Sequence, residues 1–394
     1  MKDFNFYAPT RIVFGKESEE KLPQLIQQYG GEKVLVHYGG GSAKRSGLLD
    51  KVFKMLSEAN IPYVELGGVV PNPLLSKVRE GIDLCRKENV NFILAVGGGS
   101  VIDSSKAIGY GVGYSGDVWD FWDGKGIPQT CLPIGVILTI PAAGSEMSSS
   151  CVITNDEGML KRGVNSDICR CKFAIMNPER TYTLPDYQTA AGGVDIMMHT
   201  MERYFSKYDD AVLTDSLAEA LLRTMIEAIP EVLFNPEDYK YRAAIMWASS
   251  LSHNDMMECG TEKDFACHKL EHELSGMFGV THGAGLAAIW CSWAYYVMDK
   301  HLNRFAKFAV NVMGVPQDFN NPKETAQRGI RAFRNFLMSI DMPVCISDLI
   351  HRQLTDQEIE ELVDKCSRCG KMNIGAMEVL TPKDMRAIYE MANE

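Results

Sequence analysis

The second half of the 394-residue chain contains acidic and imidazole side chains whose spacing suits a metal site. Asp195 and His199 are four residues apart, and so are His268 and His272, which places each pair on one face of a helix. His282 follows between glycines at 279 and 283, which predict a turn into another helix. One carboxylate and two or three imidazoles can thus converge from three helices, and these ligands suit a divalent first-row metal.

The alternative interpretation is that these residues are polar groups on helix faces or hydrogen-bonded core histidines. For any one histidine taken alone this alternative is the better one. Four of the chain's eight histidines, however, lie in these short apolar segments beside glycines, and this clustering favours the metal site.

Two glycine runs have the composition of phosphate-binding loops. Each follows a predicted strand and precedes a predicted helix: Gly39, Gly40, Gly41 and Ser42 form the first, and Gly97, Gly98, Gly99 and Ser100 the second, with Asp103 three residues further on. Glycines let a phosphate approach the backbone, and the helix N-terminus offers free N–H groups and a positive dipole end. Neither run has the GxGxxG spacing, so a tight turn explains either one alone. Their repetition in consecutive units favours dinucleotide binding.

The first glycine run also indicates which nicotinamide cofactor is used. NAD-preferring sites usually place an acidic residue against the ribose 2′-hydroxyl. Here Ser42 follows the glycines, with Lys44 and Arg45 just beyond, and no carboxylate is near enough to repel a 2′-phosphate. We therefore predict that NADP(H) is preferred over NAD(H).

The elements that must position these residues are of two kinds. As far as about residue 185, short β-branched runs alternate with amphipathic stretches, which predicts a parallel sheet with helical crossovers. Strands are predicted at 33–38, 61–66, 92–96 and 131–139, and helices at 42–59, 74–88 and 101–109. Ligands bind such sheets at the carboxyl ends of the strands, which is where both glycine runs lie.

Beyond Pro185 the periodicity is helical. Helices are predicted at 213–229, 241–257, 264–277, 326–339 and 356–365, with breaks at Pro230 and Pro236. We therefore expect an α/β dinucleotide-binding domain at residues 1–184 and a helical metal-binding domain at residues 185–394.

Composition excludes several classes of protein. The formal net charge of −11 argues against a nucleic-acid binder, which usually has a basic face. The N-terminus lacks the pattern of a signal peptide, and the apolar stretch 132–140 is too short to span a bilayer, so no membrane association is expected. Eleven cysteines, an odd number in a long chain, indicate reduced thiols in a cytoplasmic protein. Cys366 and Cys369 form a lone CxxC pair, which we interpret as structural or incidental.

These motifs together resemble the iron-containing (group III) alcohol dehydrogenases, and within them the NADPH-dependent butanol dehydrogenase or aldehyde reductase branch. The resemblance rests on segments 97–103, 139–147, 71–73 and 183–185, and on the two signature regions 185–202 and 268–283. It extends over nearly the whole chain. Asn177 stands where the family usually has an acid, and Thr281 stands where many members have proline.

The resemblance implies an N-terminal Rossmann-like dinucleotide-binding domain with a parallel sheet, followed by an all-α C-terminal domain, as in the dehydroquinate synthases. It implies that Asp195, His199, His268 and His282 ligate one divalent metal and that His272 lies near the nicotinamide without ligating. The cofactor residues implied by loop and resemblance are Gly39, Gly40, Gly41, Ser42, Asn72, Gly98, Gly99, Ser100, Asp103, Thr139, Ser145 and Lys161. Arg162 is the alternative to Lys161 as the basic contact. It also implies a homodimer, to which the runs 4–7 and 11–14 are expected to contribute an edge strand.

The expected activity is hydride transfer between NADP(H) and a small primary alcohol or aldehyde, with the metal as Lewis acid and His272 as a catalytic proton relay. The family name suggests Fe²⁺, but Zn²⁺ binds such ligands more tightly than ferrous iron does. Both Fe²⁺ and Zn²⁺ are therefore expected candidates for the metal. A polyol or glycerol dehydrogenase on the same fold is the nearest alternative. A more distant alternative is a lyase related to the dehydroquinate synthases, which would need a cluster of basic residues to bind an anionic substrate. An alternative of another class is a protein that senses a nucleotide without turnover, but such a protein would not need an open metal position.

Overall fold

The computed structural model describes all 394 residues, and the chain divides into two compact units. One unit comprises Tyr7–Thr183, and the other joins Met1–Phe6 to Leu184–Glu394. The N-terminal segment belongs with the helices because the Met1 ammonium pairs with Asp210 and the Lys2 N–H donates to the Gly260 carbonyl at 2.9 Å. The structure thus groups residues 1–6 with the helices, whereas the sequence predicts them in the α/β domain.

A six-stranded parallel sheet forms the centre of residues 7–183. Its strands are β1 (Arg11–Phe14), β2 (Val34–Gly39), β3 (Tyr63–Val69), β4 (Phe92–Gly97), β5 (Ile134–Leu138) and β8 (Phe173–Met176), in the order β1-β8-β5-β4-β2-β3. Strands β6 (Ser150–Asn155) and β7 (Leu160–Asn165) form a separate antiparallel hairpin. Since β4 and β5 are buried along their whole length, they read as continuous apolar runs in the sequence.

Five helices accompany these strands: α1 (Leu22–Gln28), α2 (Ser42–Arg45), α3 (Leu48–Glu58), α4 (Leu75–Glu88) and α5 (Gly99–Val112). The helix predicted at 42–59 is thus two helices, because the chain turns at Gly47, whose φ is 72°. The order of strands reverses at β2, which has β3 on one side and β4 on the other. The loops that follow β2 and β4 therefore lie side by side at the point where such folds bind ligands.

The second unit is built from helices. They are α6 (Asp186–Tyr204), α7 (Val212–Phe234), α8 (Tyr239–Ser252), α9 (Ala266–Phe278), α10 (His282–Val297), α11 (Leu302–Asn311), α12 (Pro322–Ser339), α13 (Ile346–Ile350), α14 (Asp356–Cys366) and α15 (Pro382–Ala392). Every residue of α6 from Thr189 to Tyr204 is buried, as expected for a helix at the centre of a helical domain. The expected Rossmann-like α/β unit and all-α unit are confirmed.

The predicted break at Pro230 is wrong, because α7 continues through it to Phe234. A proline inside a helix removes one hydrogen bond and costs about 3 kcal/mol. Buried Met225, Ile229 and Val232 pack in the core on both sides of the proline, and this packing outweighs the cost. The helix predicted at 241–257 likewise ends earlier, at Ser252.

None of the helices combines the length and the hydropathy that a bilayer crossing requires. None of the eleven cysteines forms a disulfide bond, and ten of them are buried or half-buried.

Candidate active site

Three side chains from three helices point their ligand atoms at one another. The Nε2 atom of His268, on α9, lies 4.0 Å from Oδ1 of Asp195, on α6. The Nε2 atom of His282, the first residue of α10, lies 3.8 Å from the same oxygen. All three ligand atoms are within 4.8 Å of one another, so the predicted convergence of one carboxylate and two imidazoles is present.

Two of these atoms are buried without a hydrogen-bond partner, namely Asp195 Oδ1 and His268 Nε2. The Nδ1 atom of His199 lies 3.0 Å from Asp195 Oδ1, but it donates to the Asp195 backbone carbonyl at 2.9 Å instead. Orphaned polar atoms in the interior cost free energy unless something satisfies them. A divalent cation between them would satisfy both, so the donor set fits a metal ion.

His199 is the fourth ligand expected at this centre, and the structure places it beside the group formed by Asp195, His268 and His282. Its ring centroid is 4.5 Å from that of His268, but its nitrogens are not among the three grouped ligand atoms. Because Nδ1 is used by the Asp195 carbonyl, Nε2 is the nitrogen that could reach a metal. The ring of His253 stacks on the ring of His199, with 4.2 Å between the two ring centroids.

Two buried carboxylates hold the imidazoles from behind. Glu202 accepts hydrogen bonds from His268 Nδ1 at 2.8 Å and from the His268 backbone N–H at 2.9 Å. Glu271 accepts from His282 Nδ1. With Nδ1 protonated in both rings, both Nε2 lone pairs are available to a metal. Burial, followed by the neighbouring imidazoles of His199 and His282, holds the pKa of His268 well below its ordinary value, which keeps the ring neutral.

Sequence reasoning did not assign these carboxylates a role, although a signal exists. Glu202 lies three residues after His199, and Glu271 lies three residues after His268, so each shares a helix face with an expected ligand. Burial raises the pKa of Glu202 to about 7 in spite of the N–H groups that it accepts from.

A glycine sets the distance between α10 and α6. A Cβ atom on Gly283 would lie 1.9 Å from the backbone oxygen of Ala191, so only glycine permits this approach. His282 precedes Gly283, and Asp195 lies one helical turn beyond Ala191. The close packing of the two helices therefore delivers His282 to Asp195.

His272 lies beside the metal-binding residues and is half-buried. Its ring centroid is 5.6 Å from that of His282 and 6.4 Å from that of His268. It is absent from the group formed by Asp195, His268 and His282, but it shares a second close group with Glu271 and His282. A half-buried imidazole in this position can exchange a proton with a ligand at the centre.

An aromatic side chain closes one side of the centre, and nothing in the sequence pattern marks it. Phe265, with a left-handed φ of 56°, places its ring 4.8 Å from that of His268. The guanidinium of fully buried Arg203 lies 5.1 Å from the centre of the same ring. Phe265 and His253 lie outside the periodic positions of the helices, so only the tertiary fold brings them to the site.

In the other unit, the two glycine runs lie next to each other. Strands β2 and β4 are paired in parallel up to Tyr38 and Val96, and the runs follow directly. Helix α5 begins within the second run, with Gly98 as its N-cap. In the first run Gly41 has a φ of 152°, which residues with a side chain rarely adopt, and α2 begins at Ser42. Backbone N–H groups at both helix starts are available to phosphates.

The remaining predicted cofactor residues are distributed around these loops. The Thr139 N–H donates to the Gly97 carbonyl at 3.0 Å, which places Thr139 beside the second run. Asn72 is half-buried with a φ of 53°. Asp103 accepts the Ser145 hydroxyl proton, so these two side chains bind each other. Lys161 is buried in β7, opposite Thr154 of β6.

Comparison with known proteins identifies the chain's relatives. Residues 9–178 match the family described as iron-containing alcohol dehydrogenase, and residues 189–393 match the C-terminal domain of the Fe-containing alcohol dehydrogenase family. The chain is 39% identical over 391 residues to NADH-dependent butanol dehydrogenase A of Clostridium acetobutylicum, with 99% of each chain covered. It is 35% identical over 397 residues to NADPH-dependent aldehyde reductase YqhD of Escherichia coli, with 100% of each covered.

A solved structure agrees with these matches. The crystal structure of NADH-dependent butanol dehydrogenase A from Thermotoga maritima superposes with a TM-score of 0.95 at 36% identity, covering 100% of this chain and 99% of that one. Together the family models cover most of the sequence, and the relatives align over nearly all of it. The chain therefore belongs to the iron-containing alcohol dehydrogenase family, in its butanol dehydrogenase and aldehyde reductase branch.

Proposed function

We propose that this protein is a metal-dependent oxidoreductase that transfers hydride between NADP(H) and a small primary alcohol or aldehyde. The observation that carries the proposal is the convergence of Asp195, His268 and His282, with two buried ligand atoms that lack a hydrogen-bond partner. Relatives over the full length are named butanol dehydrogenase and aldehyde reductase, which supports the substrate class.

The residues of the centre have three different roles in such a reaction: they bind the metal, orient the metal ligands or exchange a proton. Asp195, His199, His268 and His282 would hold one divalent ion, Fe²⁺ or Zn²⁺. When bound, the metal supplies Lewis acidity toward a carbonyl oxygen and the nicotinamide supplies the hydride. Glu202 and Glu271 fix the ring orientations of His268 and His282. His272 exchanges a proton between a ring nitrogen and the oxygen of the substrate.

The direct test follows absorbance at 340 nm with purified protein, NADPH and butyraldehyde. The assay is repeated after chelation and again after Fe²⁺ or Zn²⁺ is restored. We expect aldehyde-dependent loss of NADPH that disappears with the chelator and returns with one of the two metals. The absence of turnover with either cofactor, across aldehydes and polyols and with metal present, would refute the proposal.

The metal assignment has its own test in His268→Ala. Removing this imidazole leaves Asp195 and His282 without their third partner, so the purified variant should lose both metal and activity. The matched control is His351→Asn, which changes an exposed histidine at a left-handed position that Asn tolerates. Full metal content in His268→Ala would refute the assignment.

The preference for NADP(H) rests on the first glycine run. Lys44 and Arg45 are exposed at its end, and the Arg45 guanidinium approaches within 2.8 Å of where a Cβ on Gly41 would lie. A cation at this point favours a 2′-phosphate. Relatives differ, since the 39% identical one is named NADH-dependent and the 35% identical one NADPH-dependent.

The cofactor preference is tested by measuring the catalytic efficiency of the protein with NADPH and with NADH. In the variant Arg45→Glu, efficiency with NADPH should fall more than efficiency with NADH, because the new carboxylate repels the 2′-phosphate. Lys54→Glu, whose lysine side chain is 74% exposed on α3, is the control for the change of charge. Higher efficiency with NADH in the unaltered protein would contradict the proposal.

A homodimer is proposed from the free edge of the sheet. Strand β1 pairs on one side with β8 and has no strand on the other. Phe14 at the end of this strand is 40% exposed, and Phe4 and Tyr7, which precede the strand in the sequence, are each 53% exposed. Exposed apolar edges invite pairing with another chain. Light scattering should give twice the mass of the chain, and a single-chain mass would remove the proposal.

We also propose that the protein works in the cytoplasm. None of the eleven cysteines forms a disulfide bond, which is usual for a protein of a reducing compartment. Fractionation of the native source should recover the activity with the cytoplasmic enzymes, and its recovery elsewhere would contradict this.

A further inference from the structure

Helix α5 carries a lysine that is fully buried. Lys106 has an exposed fraction of 0%, and its Nζ atom donates to the backbone carbonyls of Ser145 and Ser150 at 2.7 Å and of Ser148 at 3.0 Å. The hydroxyl oxygens of Ser145 and Ser148 lie further away, at 3.1 and 3.4 Å. An ammonium group has three donors, so the three carbonyls use its full capacity.

The same face of α5 makes a second attachment to this stretch. Asp103, three residues before Lys106, accepts the Ser145 hydroxyl proton and also accepts the Val152 N–H at 2.9 Å. Residues three apart lie on one face of a helix. The segment 145–152, irregular until it enters β6, is thus fastened at both ends to a single face of α5.

This attachment connects two parts of the proposed cofactor site. Helix α5 begins in the second glycine run, at Gly99. The fastened segment follows Thr139, whose N–H reaches the Gly97 carbonyl, and it leads into the hairpin that carries Lys161. Thr139 is held at the glycine run by its own hydrogen bond. Whatever fixes 145–152 against α5 therefore fixes the start of the hairpin relative to the same run.

Lysine is needed here for its charge and its donors. Three carbonyls that converge on one point, two of them from buried Ser145 and Ser148, require a donor with three hydrogens. An orphaned carbonyl in the interior costs free energy. A catalytic role is excluded by access, since the ammonium group is enclosed by protein on every side.

We propose that Lys106 is a positioning residue for the nicotinamide cofactor, which acts by holding segment 145–152 against α5. The proposal deepens the proposed function and rests on it. Because Lys106 is enclosed by protein, its effect is transmitted through the segment that it binds.

The test compares Lys106→Met with Lys54→Met, which replaces an exposed lysine on α3. Lys106→Arg is the conservative variant, because it keeps a cation and several donors. Four quantities are measured on each protein: amide hydrogen exchange in 143–152, NADPH affinity by fluorescence titration, the split between KM and kcat for cofactor and aldehyde, and bound metal.

In Lys106→Met we expect exchange in 143–152 to accelerate even without cofactor. The KM and Kd for NADPH should rise about tenfold or more, as expected when roughly one buried hydrogen-bonding group is lost. The KM for aldehyde and the metal content should stay near those of Lys54→Met. Lys106→Arg should recover part of the affinity for NADPH. If Lys106→Met does not fold, the test is carried out with Lys106→Arg alone.

Unchanged NADPH affinity in folded Lys106→Met would overturn the proposal, and so would unchanged affinity in Lys106→Arg if exchange in 143–152 is accelerated in that variant. So would a parallel loss of metal, aldehyde KM and cofactor affinity, since this would indicate general destabilisation. If the unaltered protein itself neither binds NADPH nor turns over, the proposed function fails together with the cofactor role. The hydrogen-exchange result then still shows whether Lys106 holds the segment.

Discussion

At the residue scale, the state of each imidazole is set by the group on its far side. Glu202 accepts both N–H groups of His268 that face it, and Glu271 accepts the Nδ1 proton of His282. A neutral ring with Nδ1 protonated offers only Nε2 to a metal, and in both rings Nε2 faces Asp195. The carboxylates behind the ligands are therefore part of the centre.

Glu202→Ala tests this arrangement. Without its acceptor, His268 loses the bond that fixes its ring, and we expect metal affinity to fall roughly 10- to 100-fold. Glu202→Gln keeps an acceptor oxygen and should lose less. Affinity is measured by competition with a chromogenic chelator, with Glu237→Ala on the surface as control. Equal affinity in the alanine variant and the control would show that Glu202 has no part in holding metal.

His272→Ala tests the proton relay. Because His272 lies beside the ligand group without belonging to the set of Asp195, His268 and His282, the variant should keep its metal. Turnover should fall by about 10²- to 10⁴-fold, with a changed pH profile, and added imidazole should restore part of it. If turnover stays complete across the pH range, the relay assignment fails.

At the scale of elements, the centre depends on how closely α10 packs against α6. The first residue of α10 is the ligand His282, and the second, Gly283, faces the Ala191 carbonyl. A helix usually gains stability when glycine becomes alanine, by about 1 kcal/mol. Here the added methyl group would meet backbone at 1.9 Å, which a flexible side chain cannot relieve.

We therefore expect Gly283→Ala to lower the free energy of unfolding by about 1–3 kcal/mol and to weaken metal binding as His282 moves away. Urea denaturation and metal analysis measure the two effects. Gly163→Ala is the matched control, because Gly163 is exposed on β7 and its Cβ would lie 3.4 Å from the nearest atom, an ordinary contact. A variant as stable as the control would contradict the close approach of the helices.

At the scale of the whole molecule, a buried histidine ties the sheet to its helix. His37 on β2 is fully buried, with Nδ1 2.7 Å from the Leu66 carbonyl on β3 and Nε2 2.8 Å from the Ser104 hydroxyl on α5. Burial lowers its pKa from 6.5 to about 4, because a charged ring would be costly in the interior. This pKa shift makes the stability of the protein depend on pH.

Above pH 6.5 the ring is neutral in both the folded and the unfolded chain, and its contribution to stability is complete. As the pH falls from 6.5 to about 4, only the unfolded chain gains the proton, so stability is lost in this window and not below it. Between pH 7 and pH 5 we expect the unaltered protein to lose on the order of 2 kcal/mol more than His37→Gln. Urea denaturation at the two pH values measures this, with His351→Asn as the exposed control. Equal losses would show that His37 is not the titrating group.

The sequence by itself determined the fold class and the residues able to do chemistry. Helical spacing paired Asp195 with His199 and His268 with His272, and the positions of the glycine runs after strands placed them at one edge of a parallel sheet. Local periodicity carries this information because each pattern repeats within a single element. The convergence of three helices on Asp195 and the parallel pairing of the sheet agree with these expectations, whereas the order of the strands was not predicted.

Only the tertiary structure decided which groups support those residues. Glu202 and Glu271 behind the ligands, Phe265 and His253 beside them, and Lys106 beneath segment 145–152 depend on contacts between elements distant in the sequence. Pro230 is a further case that only the tertiary structure decides. Its local preference predicts a helix break, but packing in the core keeps it inside α7. The cause is physical: spacing shows which face of an element a residue occupies, but burial and hydrogen-bond partners depend on what the fold brings against that face.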